Sequence, residues 1–145
     1  MSRLKTIAAV CAVILGTALN AQAHVNPQDV AERCVNHVDS VAERAESAIA
    51  ENTLECVEEI RRLIRAGREE AAHAVARQCA QDAREVVRLA TTEITDTCEE
   101  CIRYLTSVGA DGLARRVYHY CEDTVAGFEI LLARQQAILA EALRG

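Results

Sequence analysis

Cysteine is the residue type with the clearest chemical potential in this chain, because its sulfur binds soft metal ions, exchanges disulfides and forms covalent cross-links. Seven cysteines occur among the 145 residues. Cys11 lies in an apolar run near the N-terminus. The other six are spread over the rest of the chain, at Cys34, Cys56, Cys79, Cys98, Cys101 and Cys121. An even number of cysteines behind an export signal is typical of a disulfide framework, so we predict that these six form three disulfides.

The spacing of Cys98 and Cys101 has two alternative interpretations. A C-x-x-C pair occurs in thiol oxidoreductases and in metal knuckles, and thiolates inside a helical bundle also suit copper(I). The intervening Glu99 and Glu100 oppose formation of a thiolate, and the C-x-x-x-C pairs usual in copper storage do not occur. We therefore predict structural cysteines, and keep thiolate copper binding and C-x-x-C redox chemistry as alternatives.

Residues for catalysis are not grouped in any familiar pattern. The chain has no G-x-S-x-G, H-E-x-x-H or glycine-rich phosphate loop. His24 would be the N-terminal residue after cleavage of a signal peptide over residues 1–23. A copper(II) chelate at this N-terminus would need a second histidine close by. Neither that partner nor a shared site is indicated by the spacing of His37, His73 and His119. We expect no enzyme activity, no metal site, no cofactor and no small-molecule substrate.

The N-terminus has the three parts of a secretory signal. Arg3 and Lys5 precede an apolar run from residues 7 to 19, and Ala21-Gln22-Ala23 follows as a small-residue cleavage site. We predict a signal peptide over residues 1–23 and a single helical domain over residues 24–145. The protein is then secreted or periplasmic, with no membrane association after cleavage.

Charge limits the partners of the mature chain. Removing Arg3 and Lys5 from the 16 basic residues leaves 14, against 22 acidic residues, so the net charge is −8. Nucleic acid and anionic lipid both attract basic surfaces, so neither is expected as a partner. A protein partner or self-association remains the expected kind of interaction.

Composition and periodicity predict helix throughout. Ala, Glu, Arg and Leu dominate, and the only proline, Pro27, follows Asn26 at a predicted helix start. Apolar residues recur at steps of four, three and four, an 11-residue period of 3.67 residues per turn, which keeps one stripe on one face of a nearly straight helix. Members of this stripe on the second and third helices include Val75, Val86, Val108, Val125, Leu132 and Leu143. This stripe has polar residues at two positions, Asn52 and Gln136.

Two glycine-containing breaks divide this pattern into three helices. Gly67 is one break, and Gly109 with Gly112 is the other. We predict an all-α, up-down-up antiparallel three-helix bundle with helices of about 27–66, 68–108 and 112–144. The alternative has five helices, with breaks at the capping-box-like segments that begin at Asn52 and Asp96.

Cysteine spacing about these breaks predicts the pairing. The position numbers of Cys56 and Cys79 have the same sum as those of Cys34 and Cys101, so both pairs are centred at Gly67. Two antiparallel helices joined there would place the members of each pair level with each other. Cys98 and Cys121 are centred in the same way at the second break.

If bonded cysteines must lie at the same level on neighbouring helices, two connectivities remain, in which Cys34 pairs with either Cys101 or Cys98. Cys101 lies about six turns of helix after Cys79 and therefore on nearly the same helix face, so it should face the first helix. Cys98 is rotated away from that face by about 60° and should face the third helix.

The predicted disulfides are therefore Cys34 with Cys101, Cys56 with Cys79, and Cys98 with Cys121. With one phenylalanine and no tryptophan, the contact between the helices buries little area per residue. We therefore expect reduction of the disulfides to destabilise the fold severely. The predicted function is a structural or protein-interaction module without catalysis.

A basic group lies near the first turn, at Arg61, Arg62, Arg65 and Arg68. Acidic residues flank it at Glu51, Glu55, Glu58, Glu59, Glu69 and Glu70. We interpret the two sets as a mostly ion-paired helix surface, with docking of an acidic partner as the alternative.

Overall fold

The computed structural model describes residues 25–145, which form three long helices. These are α1, Pro27–Arg65; α2, Glu69–Ser107; and α3, Asp111–Arg144, of 39, 39 and 34 residues. At about 1.5 Å per residue the longer helices extend about 58 Å. All three helix pairs are in contact, which confirms the predicted all-α antiparallel three-helix bundle. The predicted signal peptide 1–23, with Cys11, and His24 lie outside the described residues.

α1 and α2 are continuous through the two positions where breaks were considered. Asn52 is internal to α1, and Asp96 is internal to α2. The five-helix alternative is therefore wrong. Apolar residues continue in register on both sides of each position, so an unbroken helix buries both halves of the stripe, which outweighs a local capping box.

The start of α1 follows the sequence prediction. The Asn26 side-chain oxygen accepts a hydrogen bond from the Gln28 backbone N–H at 3.0 Å, and Pro27 occupies the first helical turn. The cap satisfies one of the amide groups that the first turn leaves without a carbonyl partner.

Both turns have the same Schellman geometry. At the end of α1 the Arg68 N–H donates to the Leu63 carbonyl at 2.9 Å, and the Gly67 N–H donates to Ile64 at 3.0 Å. At the end of α2, Ala110 and Gly109 make the equivalent bonds to Leu105 and Thr106 at 2.8 and 3.1 Å. The φ angles of Gly67 and Gly109 are 70° and 75°, a conformation that glycine adopts without steric cost.

The buried residues form two clusters. The large cluster contains Cys34, Cys98, Cys101 and Cys121, and the small cluster contains Cys56 and Cys79 near the first turn. A middle layer of Ile49, Thr53, Ala83 and Gln135 is also buried but belongs to neither cluster. The core is therefore interrupted along the rod by a layer in which Ile49 is the one large apolar side chain.

The two polar positions of the stripe are each displaced by one residue from the prediction. Thr53 rather than Asn52 is buried on α1, and Gln135 rather than Gln136 is buried on α3. An 11-residue period does not specify the order of three- and four-residue steps, so neighbouring residues compete for one buried position. The Thr53 hydroxyl donates to the Ile49 carbonyl at 2.6 Å and is satisfied within its own helix.

The apolar stripe also differs from the prediction at its edges. Val108, predicted to lie in the stripe, is exposed at the second turn. Five other predicted members are only half-buried, at Val75, Val86, Val125, Leu132 and Leu143. The fully buried stripe is narrower than the apolar pattern because three helices cover only a limited arc of one another.

Replacing Gly67 by alanine tests the turn geometry. A Cβ at Gly67 or at Gly127 would meet nothing within 4 Å, so only backbone conformation distinguishes these two positions. Gly67→Ala should destabilise the oxidised protein by about 1 kcal/mol, because alanine resists positive φ. Gly127→Ala, within α3, should stabilise by about 0.5 to 1 kcal/mol. Urea denaturation measures both, and equal effects would contradict the assigned turn.

Gln135 tests the middle layer. Its side chain is 3% exposed, its Nε2 donates to the Cys79 carbonyl at 3.3 Å, and its Oε1 has no hydrogen-bond partner among the described residues. An unsatisfied buried oxygen costs about 1 to 3 kcal/mol, whereas the Cys79 carbonyl keeps its helical partner. Gln135→Met should therefore stabilise the protein by about 1 kcal/mol in thermal denaturation. The adjacent, exposed Gln136→Met is the control, with an expected change within about 0.5 kcal/mol.

Candidate functional site

Three disulfides join the helices. Cys34–Cys101 and Cys56–Cys79 link α1 to α2, and Cys98–Cys121 links α2 to α3. These are the pairs that the cysteine spacing predicts. Each Cα–Cα distance is 6.5 Å, longer than the roughly 4 to 5.5 Å expected for Cα atoms on the line between two helix axes. The cysteines lie off that line, still within the range that a disulfide spans.

Cys98 and Cys101 lie one turn apart on α2 and bond to different helices. Cys101 bonds to Cys34 of α1, and Cys98 bonds to Cys121 of α3. Three residues on an α-helix differ by about 60° in direction, which is enough to serve two neighbours. All three helices are therefore covalently joined at one level of the rod.

The sulfur atoms are buried as well as bonded. Every cysteine in residues 25–145 is in a disulfide and is no more than 7% exposed. Thiolate chemistry at these residues would first require reduction of a buried bridge. Within the same residues, no three histidine, cysteine or acidic side chains lie close enough together to hold a metal ion.

Polar contacts between helices lie beside the large cluster. Glu93 of α2 accepts from Arg44 and contacts His37 Nε2, both on α1, at 3.3 and 3.2 Å. Tyr120 of α3 donates a hydrogen bond to Asp39 of α1, which raises the pKa of Tyr120 to about 12. Because the raised pKa favours the neutral phenol, this stabilisation is present below pH about 10 and is lost as pH rises through about 12.

The remaining histidines are not brought together. His73 is exposed on α2. His119 is exposed on α3, with its ring against Tyr118 at 5.4 Å between centroids and its Nδ1 4.0 Å from Glu122. Neither residue shares a site with His37.

The basic group at the first turn is paired at only one position. Arg62 forms an ion pair with Glu59 at 2.6 Å, and the hydrogen bond from Arg62 lowers the pKa of Glu59. Arg61, Arg65 and Arg68 are in no ion pair within residues 25–145, so the prediction of a mostly paired surface is wrong for them. Arg65 has Arg61 and Arg62 at the helical distances where an acid would pair with it.

Large exposed apolar residues were missed by the sequence analysis. Leu54 is 68% exposed on α1, and the others include Leu89, Ile130 and Ile138. The signal that could have found them is an apolar residue at a position that the 11-residue pattern assigns to the outer face. None of the helices in residues 25–145 combines the length and apolarity needed to cross a bilayer.

Removing the bridges one at a time tests the disulfide seam. On the chain-entropy model each bridge contributes about 2 to 4 kcal/mol, and a longer closed loop contributes more. Cys34–Cys101 closes 67 residues, whereas Cys56–Cys79 and Cys98–Cys121 each close 23. The double variant Cys34→Ala/Cys101→Ala should therefore lose up to about 1 kcal/mol more than either other pair, and those two should be similar.

Guanidinium denaturation followed by circular dichroism measures these differences in free energy of unfolding. After full reduction, the chain should no longer show a cooperative unfolding transition near room temperature. A helical signal and melting temperature unchanged by reductant would contradict a structural role for the bridges.

Comparison with known proteins gives no family or function for the chain. No protein-family model matches the chain, and no curated protein or solved structure is significantly similar to it. Function must therefore be argued from the disulfide seam and from the outer faces of the helices.

Proposed function

We propose that this chain is an exported, disulfide-stabilised helical rod that acts as a structural or protein-interaction module without catalysis. The observation that carries the proposal is the burial of six cysteines in three inter-helix bonds. Sulfur that is bonded and buried supports the fold rather than metal binding or electron transfer. The chemistry offered to other molecules then lies on the outer faces of the helices.

The proposed location is the periplasm or the cell exterior. Three disulfides suggest an oxidising, extracellular compartment, because cytosolic thiols are normally kept reduced. The predicted signal peptide over residues 1–23 gives a route to that compartment.

The proposed partner is a protein or a second copy of this chain. A three-helix bundle encloses little more than the side chains on its axis, so its long outer faces are its main recognition surface. Those faces carry many charged side chains and several exposed large apolar ones, including Leu54 and Ile130. The acidic net charge of the mature chain disfavours nucleic acid and anionic membranes.

Intact mass of the exported protein, with and without alkylation after denaturation, tests this function. We expect a chain that begins at His24, lacks six hydrogens relative to the fully reduced form and takes up no alkylating reagent. A glutathione buffer poised at about −200 mV should leave all three bridges oxidised, since structural disulfides typically have potentials below about −300 mV.

Two results would overturn the proposal in different ways. Six alkylated cysteines with bound copper would establish the thiolate metal-binding alternative. A single reducible pair in the glutathione buffer, formed by Cys98 and Cys101 with each other, would establish the redox alternative. The matched control for reagent access is a sample that is treated with strong reductant before alkylation.

A further inference from the structure

A second stripe of α1 repeats the period of the core on the exposed side. Its steps are four, three, four, four, three and four residues, and all its members are exposed. They are Glu43, Ser47, Ala50, Leu54, Glu58, Arg61 and Arg65. That spacing keeps them on one face of a straight helix. We call this set the outer α1 stripe.

Leu54 is the apolar centre of the outer α1 stripe. It is 68% exposed and follows the buried Thr53, so it points about 100° away from that core position. The register of the bridges places Ile138 of α3, 49% exposed, at the same level. Ile138 comes about five turns after Tyr120, so it lies on the α3 flank that contacts α1 through Asp39. Leu54 and Ile138 are therefore exposed apolar side chains at one level of the rod, on two neighbouring helices.

The two ends of the outer α1 stripe carry opposite charges. Glu43 and Arg65 lie at equal distances before and after Leu54, about three turns of helix away in each case. Ser47 and Ala50, which are small, precede Leu54 by seven and four residues. Arg61 and Glu58 follow Leu54 at the same distances. Glu43, Arg61 and Arg65 are in no ion pair within residues 25–145.

We propose that the outer α1 stripe is a self-association surface, on which a second copy of this chain packs antiparallel about a two-fold axis at Leu54. The axis brings Leu54 onto Leu54 of the second copy and pairs Glu43 of each copy with Arg65 of the other. Self-complementarity of this kind is what a two-fold interface requires. A parallel arrangement would instead oppose Glu43 to Glu43 and Arg65 to Arg65, which like-charge repulsion disfavours.

The expected dimer is weak. The stripe extends about 33 Å along one helix, which gives an interface at the small end of the specific range. Its ion pairs are exposed, so added salt should weaken association. This inference rests on the proposed function and names the partner.

Sedimentation equilibrium of the oxidised protein from micromolar to millimolar concentration tests the dimer. We expect wild type to dimerise in that range. Arg65→Glu should weaken association about tenfold, because two attractive pairs become repulsive. Adding Glu43→Arg to this variant should restore association, which a merely structural effect of Arg65→Glu would not do.

Leu54→Asp should also weaken association by at least about tenfold, through loss of the apolar centre. Leu89→Asp is its matched control, since Leu89 is a 52% exposed leucine on α2 outside the stripe, and it should dimerise as wild type does. Circular dichroism checks that each variant remains folded.

Three results would overturn the inference. They are a wild type that is monomeric at all concentrations, a charge-swapped double variant no better than Arg65→Glu, and a Leu89→Asp variant as weak as Leu54→Asp. A monomer with three intact bridges removes only the dimer, whereas free thiols with bound copper remove the proposed function itself.

Discussion

The relative register of the three helices is the constraint on which the other features depend. Each turn glycine lies midway between two bonded cysteines, one on the helix before it and one on the helix after it, so the helix lengths on either side of a turn are matched. A single insertion between Cys56 and Gly67 would rotate Cys56 by about 100° and move it by about 1.5 Å. Neither Cys56 nor Cys34 would then face its partner. The two Schellman turns hold this register because each ends one helix and starts the next within a short segment.

Helix boundaries and cysteine pairs could be read from the sequence because both depend on residue spacing, which a regular helix converts directly into direction and height. The burial of Gln135 instead of Gln136 could not be predicted from the sequence, since an 11-residue period accepts either order of three- and four-residue steps. The unpaired state of Arg61 and Arg65 was also missed, because charge composition does not say which side chains reach each other. No signal for the activity of the chain was found, and the outer α1 stripe emerged only once exposure was known.

Covalent links and a narrow core are connected features of this fold. The buried stripe is built largely from alanine, valine and cysteine, with Phe128 as its only aromatic residue among residues 25–145. Small side chains bury little apolar area, and the middle layer at Thr53 and Gln135 interrupts even that. Disulfides on both sides of the layer offset the weak packing, since they restrict the unfolded chain whatever the size of the neighbouring side chains.

The meeting of two bridges on one turn of α2 also determines how the rod transmits tension. A pull on the two ends of the described chain passes along α1 to Cys34, across to Cys101, back to Cys98 and across to Cys121. Residues 35–97 and 102–120 lie off this covalent path and are shielded from tension once the packed helices have separated. With the bridges intact, only residues 25–34, 98–101 and 121–145 can be drawn out, which limits the length to which the described chain can be stretched.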